Sequence, residues 1–255
     1  MAATSDATSL VRGLTLLVAL GSDESVQRGG LGVVRLAELI GADKGQVSRT
    51  MRTLERLGFA ERDPDTRAYR LGWRTFALAA RTGESRLLLG APPILQALVE
   101  RTGESAHLSV LDGREVLTVL TQAPPSRLHV PGVVGRRSPL HCTSAGRALL
   151  FDLDATDVAG LLGDGPFEAR GARAPADAPS LTARVRVEAA QGYSLVDEEF
   201  EPGLIGIAAP VRDASGRIAA AVNVSGPRFR LHAQRADAAA AVTQAAGELS
   251  RLLGA

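Results

Sequence analysis

Cysteine occurs once in these 255 residues, at Cys142, so the chain closes no internal disulfide and supplies no multi-cysteine zinc module. Aromatic residues make up only 4%, and lysine is nearly absent, Lys44 standing among many arginines. No stretch approaches the ~20 apolar residues that span a bilayer, and the start, MAATSDATS, has neither the basic opening nor the apolar run of a signal peptide. A cytoplasmic protein without a membrane partner is the expectation. With 45% hydrophobic and 22% charged residues, the chain is too balanced for a disordered or fibrous class, and its length suits two modest domains. The net charge of +1 conceals a local excess, since between Lys44 and Arg56 only Glu55 is negative. A local basic helix of this kind is an electrostatic footprint for nucleic acid.

Hydrophobic spacing divides the first third into three helices. From Ser9 to Leu20, Leu10, Leu14, Leu17 and Val18 form one apolar stripe, with residues 1–8 left as a disordered tail. A Gly-rich loop covers residues 21–32. Val33 to Ile40 then carries Val33, Leu36, Ala37 and Ile40 on one side and stops at Gly41. The third helix, Lys44 to Leu57, puts Val47, Met51, Leu54 and Leu57 on its apolar face. Two strand-like pieces, Phe59–Arg62 and Ala68–Leu71, flank the turn signal Asp63-Pro64-Asp65-Thr66 and read as a hairpin, or wing. Residues 9–72 therefore read as one module. A linker helix is expected over 73–91, ended by Pro92-Pro93, with a domain boundary near Gly83 and a new helix from Ile94 to Arg101.

Residues 92–255 mix helices with mostly antiparallel strands, as in an α+β domain. The expected strands are Ala106–Asp112, Glu115–Gln122, Arg127–Pro131, Tyr193–Glu198, Leu204–Arg212 and Arg217–Ser225. A loop over 132–143 leads to helices at Ser144–Phe151, Asp154–Leu162, Leu181–Gln191 and His232–Leu253.

A major groove admits one α-helix, whose side chains read base edges while neighbouring cations hold phosphates. The third helix has the residues for this task. Gln46, Ser48, Arg49 and Arg52 suit base edges, and Lys44 at the helix start, with Arg62 and Arg67 on the wing, suits phosphates. Charges on a helix commonly do no more than solvate it. Here three short helices, a basic-polar third helix and a hairpin follow in order within about 60 residues, the size of a winged helix-turn-helix module.

The chain resembles the IclR family of transcriptional regulators over almost its full length. The resemblance is carried by SLVRGLTLL (9–17), LAELIGADKGQVSRTMRTLERLGFAER (36–62), YRLG (69–72), PLHCTSAGRALL (139–150), GYSLVDEEFEPGLIGIAAPVRD (192–213) and AAAVNVSGPRFRL (219–231). It implies an N-terminal winged helix-turn-helix joined by a linker helix to a GAF-like α/β effector-binding domain. It further implies a homodimer or dimer of dimers on double-stranded DNA at a palindromic operator, usually as a repressor, controlled by a small-molecule effector and needing no cofactor. The family's effector pocket falls on Ser144, Ala145, Val196, Leu204, Gly206, Asn223 and Ser225. A helix start at Ser144 attracts carboxylates, and Ser144, Asn223 and Ser225 add neutral hydrogen bonds, which suits a small organic acid or polar metabolite. Val196 and Gly206 stand where relatives that sense small keto acids have Asp and Cys. That exchange predicts a less polar and, at Gly206, roomier pocket for a larger or more hydrophobic ligand.

His141-Cys142 invites a thiolate–imidazole reading, but neighbours on an extended loop usually point apart, and His107, His129 and His232 are scattered along the chain. The acidic cluster Asp197, Glu198, Glu199 and Glu201 lacks the spacing of a calcium loop and is expected to be a solvated or arginine-paired surface, so no metal site is expected. Competing functions are an enzyme or sensor whose winged helix contacts protein, and an architectural DNA binder without an effector.

Overall fold

The computed structural model describes residues 5–81, 85–125, 134–163, 165–168 and 170–255, with the side chains of 5–8 left out. Two compact units divide the chain, Met1–Ser85 and Arg86–Ala255. Among the described residues no helix is long and apolar enough to cross a membrane.

In the first unit, α1 (Ser5–Leu20) is followed by α2 (Asp23–Arg28), α3 (Val33–Ile40), α4 (Lys44–Arg56), β1 (Ala60–Arg62), β2 (Tyr69–Leu71) and α5 (Trp73–Ala79). The core gathers Leu16, Leu20, Leu31, Leu36, Val47, Met51, Ala60 and Tyr69. Between α3 and α4, Gly41 adopts φ +63°, which a residue without Cβ reaches at no steric cost. Asp43 then caps α4 by accepting the Gln46 N–H at 3.0 Å, so the turn of the helix-turn-helix spans three residues, 41–43. β1 and β2 pair antiparallel, and the Asp63 carboxylate closes their turn by accepting from the N–H groups of Asp65 and Thr66.

Several expectations change in this unit. Residues 5–8, expected in the disordered tail, are helical, while 1–4 lie outside the described residues. The inward face of α1 carries Leu16 and Leu20; Leu10, Leu14 and Val18 from the expected stripe are exposed. This helix is apolar on more than one face, so spacing alone does not choose the side that packs. The loop over 21–32 contains α2, whose six residues are too few for a periodic signal but are capped by Ser22. At the end of α4, Leu57 is exposed as the C-cap instead of joining the apolar face.

The second unit holds α6 (Ser85–Thr102), β3 (Ser105–Asp112), β4 (Glu115–Gln122), β5 (Arg137–Pro139), α7 (Ser144–Leu149), α8 (Ala155–Leu162) and α9 (Ala178–Gln191). β6 (Ser194–Asp197), β7 (Leu204–Arg212), β8 (Ile218–Pro227), α10 (Arg228–Leu231) and α11 (Arg235–Leu252) complete it. Six strands form one antiparallel sheet in the order β5-β4-β3-β8-β7-β6. Alternation sorts their side chains. Ala106, Leu108, Ile205, Ile207, Ala209, Val222 and Val224 pack with Leu95, Leu98, Val242 and Leu249 of α6 and α11. On the opposite face, Val116, Ala208 and Ala221 meet Ala145, Leu149, Leu181 and Val185 of α7 and α9.

The expected single linker helix over 73–91 is instead two helices. α5 ends at Ala79 with none of its side chains buried, so packing does nothing to extend it. α6 runs through Pro92 and Pro93, which were expected to end a helix. Each interior proline costs about 3 kcal/mol or more. Burial of Leu87, Leu95, Leu98 and Val99, at about 1.5–3 kcal/mol apiece, offsets that cost and keeps the helix continuous. β5 lies within the expected loop over 132–143, and the expected strand Arg127–Pro131 falls outside the described residues. The expected final helix, His232–Leu253, is α11, which begins three residues later at Arg235, and the short α10 precedes it unexpectedly.

Candidate DNA-reading face and effector cavity

On α4, Val47 and Met51 point into the core, which turns Arg49, Arg52 and Arg56 to the opposite, exposed side. Lys44 and Gln46 are exposed on its flanks, and Ser48 is half-buried. Among the described residues Arg49, Arg52 and Arg56 carry no ion pair, whereas Arg28, Arg35 and Arg70 of the same unit are held by Glu24, Glu24 with Glu38, and Glu61. An exposed arginine cluster without carboxylates keeps its full charge available to an external anion. On the wing, Arg67 is exposed at φ +59°. Arg62 is half-buried, stacks 5.2 Å from the Tyr69 ring centre, and donates from Nε to the Arg67 carbonyl at 3.3 Å. Arg56 is the addition that sequence reasoning missed, although its i,i+4 spacing from Arg52 was visible.

In the second unit, Ser144, Ala145, Val196, Leu204, Gly206, Asn223 and Ser225 all line one partly open cavity with a water-accessible volume of about 110 Å³. The cavity occupies the part of the sheet face that α7 and α9 leave uncovered. Its floor is the polar half of an alternation: His107 and Ser109 on β3 and Asn223 and Ser225 on β8, with His107 directly opposite Asn223 in register. Val116, Thr118, Arg136, Ser138, Thr143 and Phe200 complete the wall.

His107, dismissed as scattered from sequence, is part of that floor. Its Nδ1 lies 3.1 Å from Thr121 Oγ1 and its Nε2 3.0 Å from Ser225 Oγ. Burial, with the nearby charge of Arg136, pushes the imidazole down to about 4, so it is a neutral hydrogen-bonding group in the physiological range. The signal was present in Ser105-His107-Ser109, three polar residues at period two on an otherwise apolar strand.

The room expected at Gly206 is occupied. A methyl group there would sit 2.8 Å from Ser144 Oγ, so the glycine lets the start of α7 approach β7 and adds no space for a ligand. Thr143 caps α7, and Ser194 Oγ donates to the Ser144 carbonyl at 2.6 Å, fixing this corner.

Beneath α7 lies a buried ionic network. Arg147 is fully buried, with guanidinium nitrogens 2.8 Å from Glu199 and 3.1 Å from Glu188; Arg184 reaches Glu199 at 3.2 Å. Burial pushes the Glu188 carboxyl up to about 7 against the pull of Arg147. The expected acidic surface is thus divided. Asp197 pairs with Arg173 and Arg228, Glu198 with Arg228 and Glu201 with Arg136, whereas Glu199 is an interior group. His141 Nε2 donates to the Glu168 carbonyl at 3.2 Å, and burial pushes the Cys142 thiol up to about 11. A thiol so protonated is a poor nucleophile. Among the described residues no cluster of three or more His, Cys, Asp or Glu gathers as a metal site.

Comparison with known proteins assigns both domains to one family. Residues 82–251 match the domain described as bacterial transcriptional regulator IclR C-terminal, and residues 9–64 match the IclR helix-turn-helix domain. The Pca regulon regulatory protein of Pseudomonas putida is 35% identical over 220 residues, covering 86% of this chain and 74% of that protein. The HTH-type transcriptional regulator BhcR of Paracoccus denitrificans is 34% identical over 226 residues, covering 87% and 80%. A solved IclR homologue from Microbacterium hydrocarbonoxydans, complexed with 4-hydroxybenzoate, shares the fold with a TM-score of 0.77 at 24% identity, covering 98% of this chain and 99% of that one. A matched family domain over most of the chain, a helix-turn-helix before it and relatives named as regulators together place this protein: it belongs to the IclR family of transcriptional regulators, DNA-binding proteins with an effector domain and not enzymes.

Proposed function

We propose that residues 9–72 read a palindromic operator as part of a homodimer or dimer of dimers, that the protein acts as a cytoplasmic repressor, and that an organic acid in the cavity of residues 92–255 shifts its DNA affinity. The observation that carries the DNA assignment is the arginine face of α4, exposed and without ion pairs among the described residues. Arg49 and Arg52 are assigned to guanine edges, with Gln46 and Ser48 beside them, and Lys44, Arg62 and Arg67 to phosphates. Self-association is supported by α1, where Leu10, Leu14 and Val18, exposed to 67%, 55% and 73%, share one apolar face that a second copy would cover. For the effector, support comes from convergence of all seven expected residues on one cavity. The 4-hydroxybenzoate held by a protein of the same fold makes aromatic acids natural first probes.

Footprinting on the gene's own upstream region, with and without candidate acids, tests the reading. Arg49→Ala and Arg52→Ala should each lose about 1–3 kcal/mol of discrimination between the operator and a mismatched site, whereas Lys44→Ala should weaken all sequences alike and reduce the salt slope by about one. Unchanged binding in all three variants would remove the assignment of α4. An effector acts only by binding the two DNA-affinity states differently, so an acid that leaves operator affinity unchanged is not the effector.

A further inference from the structure

Among the described residues that line the cavity, Arg136 is the only charged side chain, and none is an aspartate or glutamate. Polar groups are also unevenly placed. Ser109, Thr118, Ser138, His107, Asn223 and Ser225 lie toward β3, β4, β5 and β8, while Val196, Phe200 and Leu204 form an apolar side.

We infer that the cavity selects a monocarboxylate whose acid end is read by Arg136 and whose neutral polar end is read by His107 with Asn223 and Ser225. The apolar body of this ligand lies along Val196, Phe200 and Leu204. The inference rests on the cavity being the effector site and names the chemistry that site accepts.

Two anchors compete for a carboxylate, and their strengths differ. The start of α7 offers at most about half an elementary charge, and this helix has only six residues. Thr143 Oγ1 already takes the Gly146 N–H, and Ser144 is pressed toward Gly206. Arg136 offers a full charge and a planar fork that binds carboxylates through two parallel hydrogen bonds. Its present counterion is Glu201 at 3.8 Å, and both side chains are substantially exposed, 43% and 57%. Such a pair is weak, so a ligand carboxylate can replace it at little cost. Arg136 also lies over the Phe200 ring at 5.6 Å, with Arg170 at 5.5 Å, which keeps this aromatic wall beside the cationic end.

The far end selects against a second charge. His107 is held between Thr121 and Ser225 in neutral form, and the one cation among the described lining residues is Arg136. With Arg136 engaged by the first carboxylate, a second one placed against His107 would be desolvated without a counterion of its own. Arg136 immediately precedes β5, and His107 lies on β3, two strands away in the sheet. Adjacent strands are ~4.8 Å apart, so the two ends are separated by roughly 10 Å of backbone, enough for a ring-sized body.

Isothermal titration of the full-length protein tests this with 4-hydroxybenzoate, 6-hydroxyhexanoate, the amide of each, and the dicarboxylate terephthalate. At least one acid should bind on the order of tenfold more tightly than its amide and than terephthalate. Arg136→Gln, at an exposed position, should bring that acid to the level of its amide and leave the amide unchanged. His107→Asn should weaken acid and amide together. An unchanged acid-to-amide ratio in Arg136→Gln, or terephthalate binding as tightly as the acids, overturns the inference while the cavity reading stands. Thr118→Trp separates that reading, because it fills the cavity from a half-buried position. Acid binding that survives Thr118→Trp, or no binding of any acid or amide to the wild type, overturns both.

Discussion

Replacing Glu188 by glutamine should stabilise the effector domain at alkaline pH and do little at acid pH. Arg147 is one guanidinium shared by two buried carboxylates, at 3.1 Å from Glu188 and 2.8 Å from Glu199. Glu188 Oε2 has no hydrogen-bond partner among the described residues. A carboxyl held up at about 7 in the folded chain but titrating near 4.5 when unfolded binds its proton more tightly in the native state. Stability from this group is therefore fully present below about 4.5 and is lost as pH rises to about 7. Above both values the difference amounts to about 3 kcal/mol, and relaxation of the site reduces it to about 1–3 kcal/mol. Glutamine keeps the shape and can still accept from Arg147 and from the Leu195 N–H, which lies 3.4 Å from Glu188 Oε1. Urea unfolding of wild type and Glu188→Gln at about pH 8 and about pH 5 measures the contrast. Equal destabilisation by the variant at both values would refute the reasoning, because it would mean that an ionised Glu188 is a net favourable partner of Arg147.

Asp43→Ala removes the cap on α4 and should cost about 1 kcal/mol in unfolding of the first unit, with a matching loss of operator affinity; unchanged stability would show that the cap is redundant. Gly206→Ala forces Ser144 away from β7 and should cost about 1–3 kcal/mol while weakening effector binding, and a melting point equal to wild type would count against the close fit. Cys142, with its thiol pushed up to about 11, should resist alkylation in the native state and react once urea exposes it; equal rates in both conditions would contradict its burial.

The parts of the fold that sequence revealed are those with short-range causes. Gly41 with Asp43 marks the turn of the helix-turn-helix because left-handed backbone and a side-chain cap are local requirements. β7 and β8 were legible because they are long, rich in Val, Ile and Ala, and separated by a turn sequence. What sequence misjudged depends on what packs against what. Leu10 and Leu16 are equally apolar, and only the position of α3 and α4 makes the second an interior residue. Pro92 and Pro93 end a helix in isolation but not one buried along Leu87, Ala91 and Leu95. In the candidate site, the family resemblance carried all seven expected lining residues, whereas Arg136, just before β5, and His107, on β3, are brought to the cavity by the order β5-β4-β3-β8. The interior place of Arg147 depends on Glu188 and Glu199, 41 and 52 residues further along the chain, and no local pattern announces it.

The alternation along β7 and β8 also bears on how such regulators diversify. Ile205, Ile207, Val222 and Val224 hold the sheet to α6 and α11, while Gly206, Asn223 and Ser225, interleaved with them, face the cavity. Along β8, selection for a new metabolite can exchange Asn223 and Ser225 without disturbing Val222 and Val224, since adjacent residues on a strand answer to opposite faces. Stability and ligand choice are there written on alternate letters of one strand, and a lineage can change what it senses without relearning how to fold.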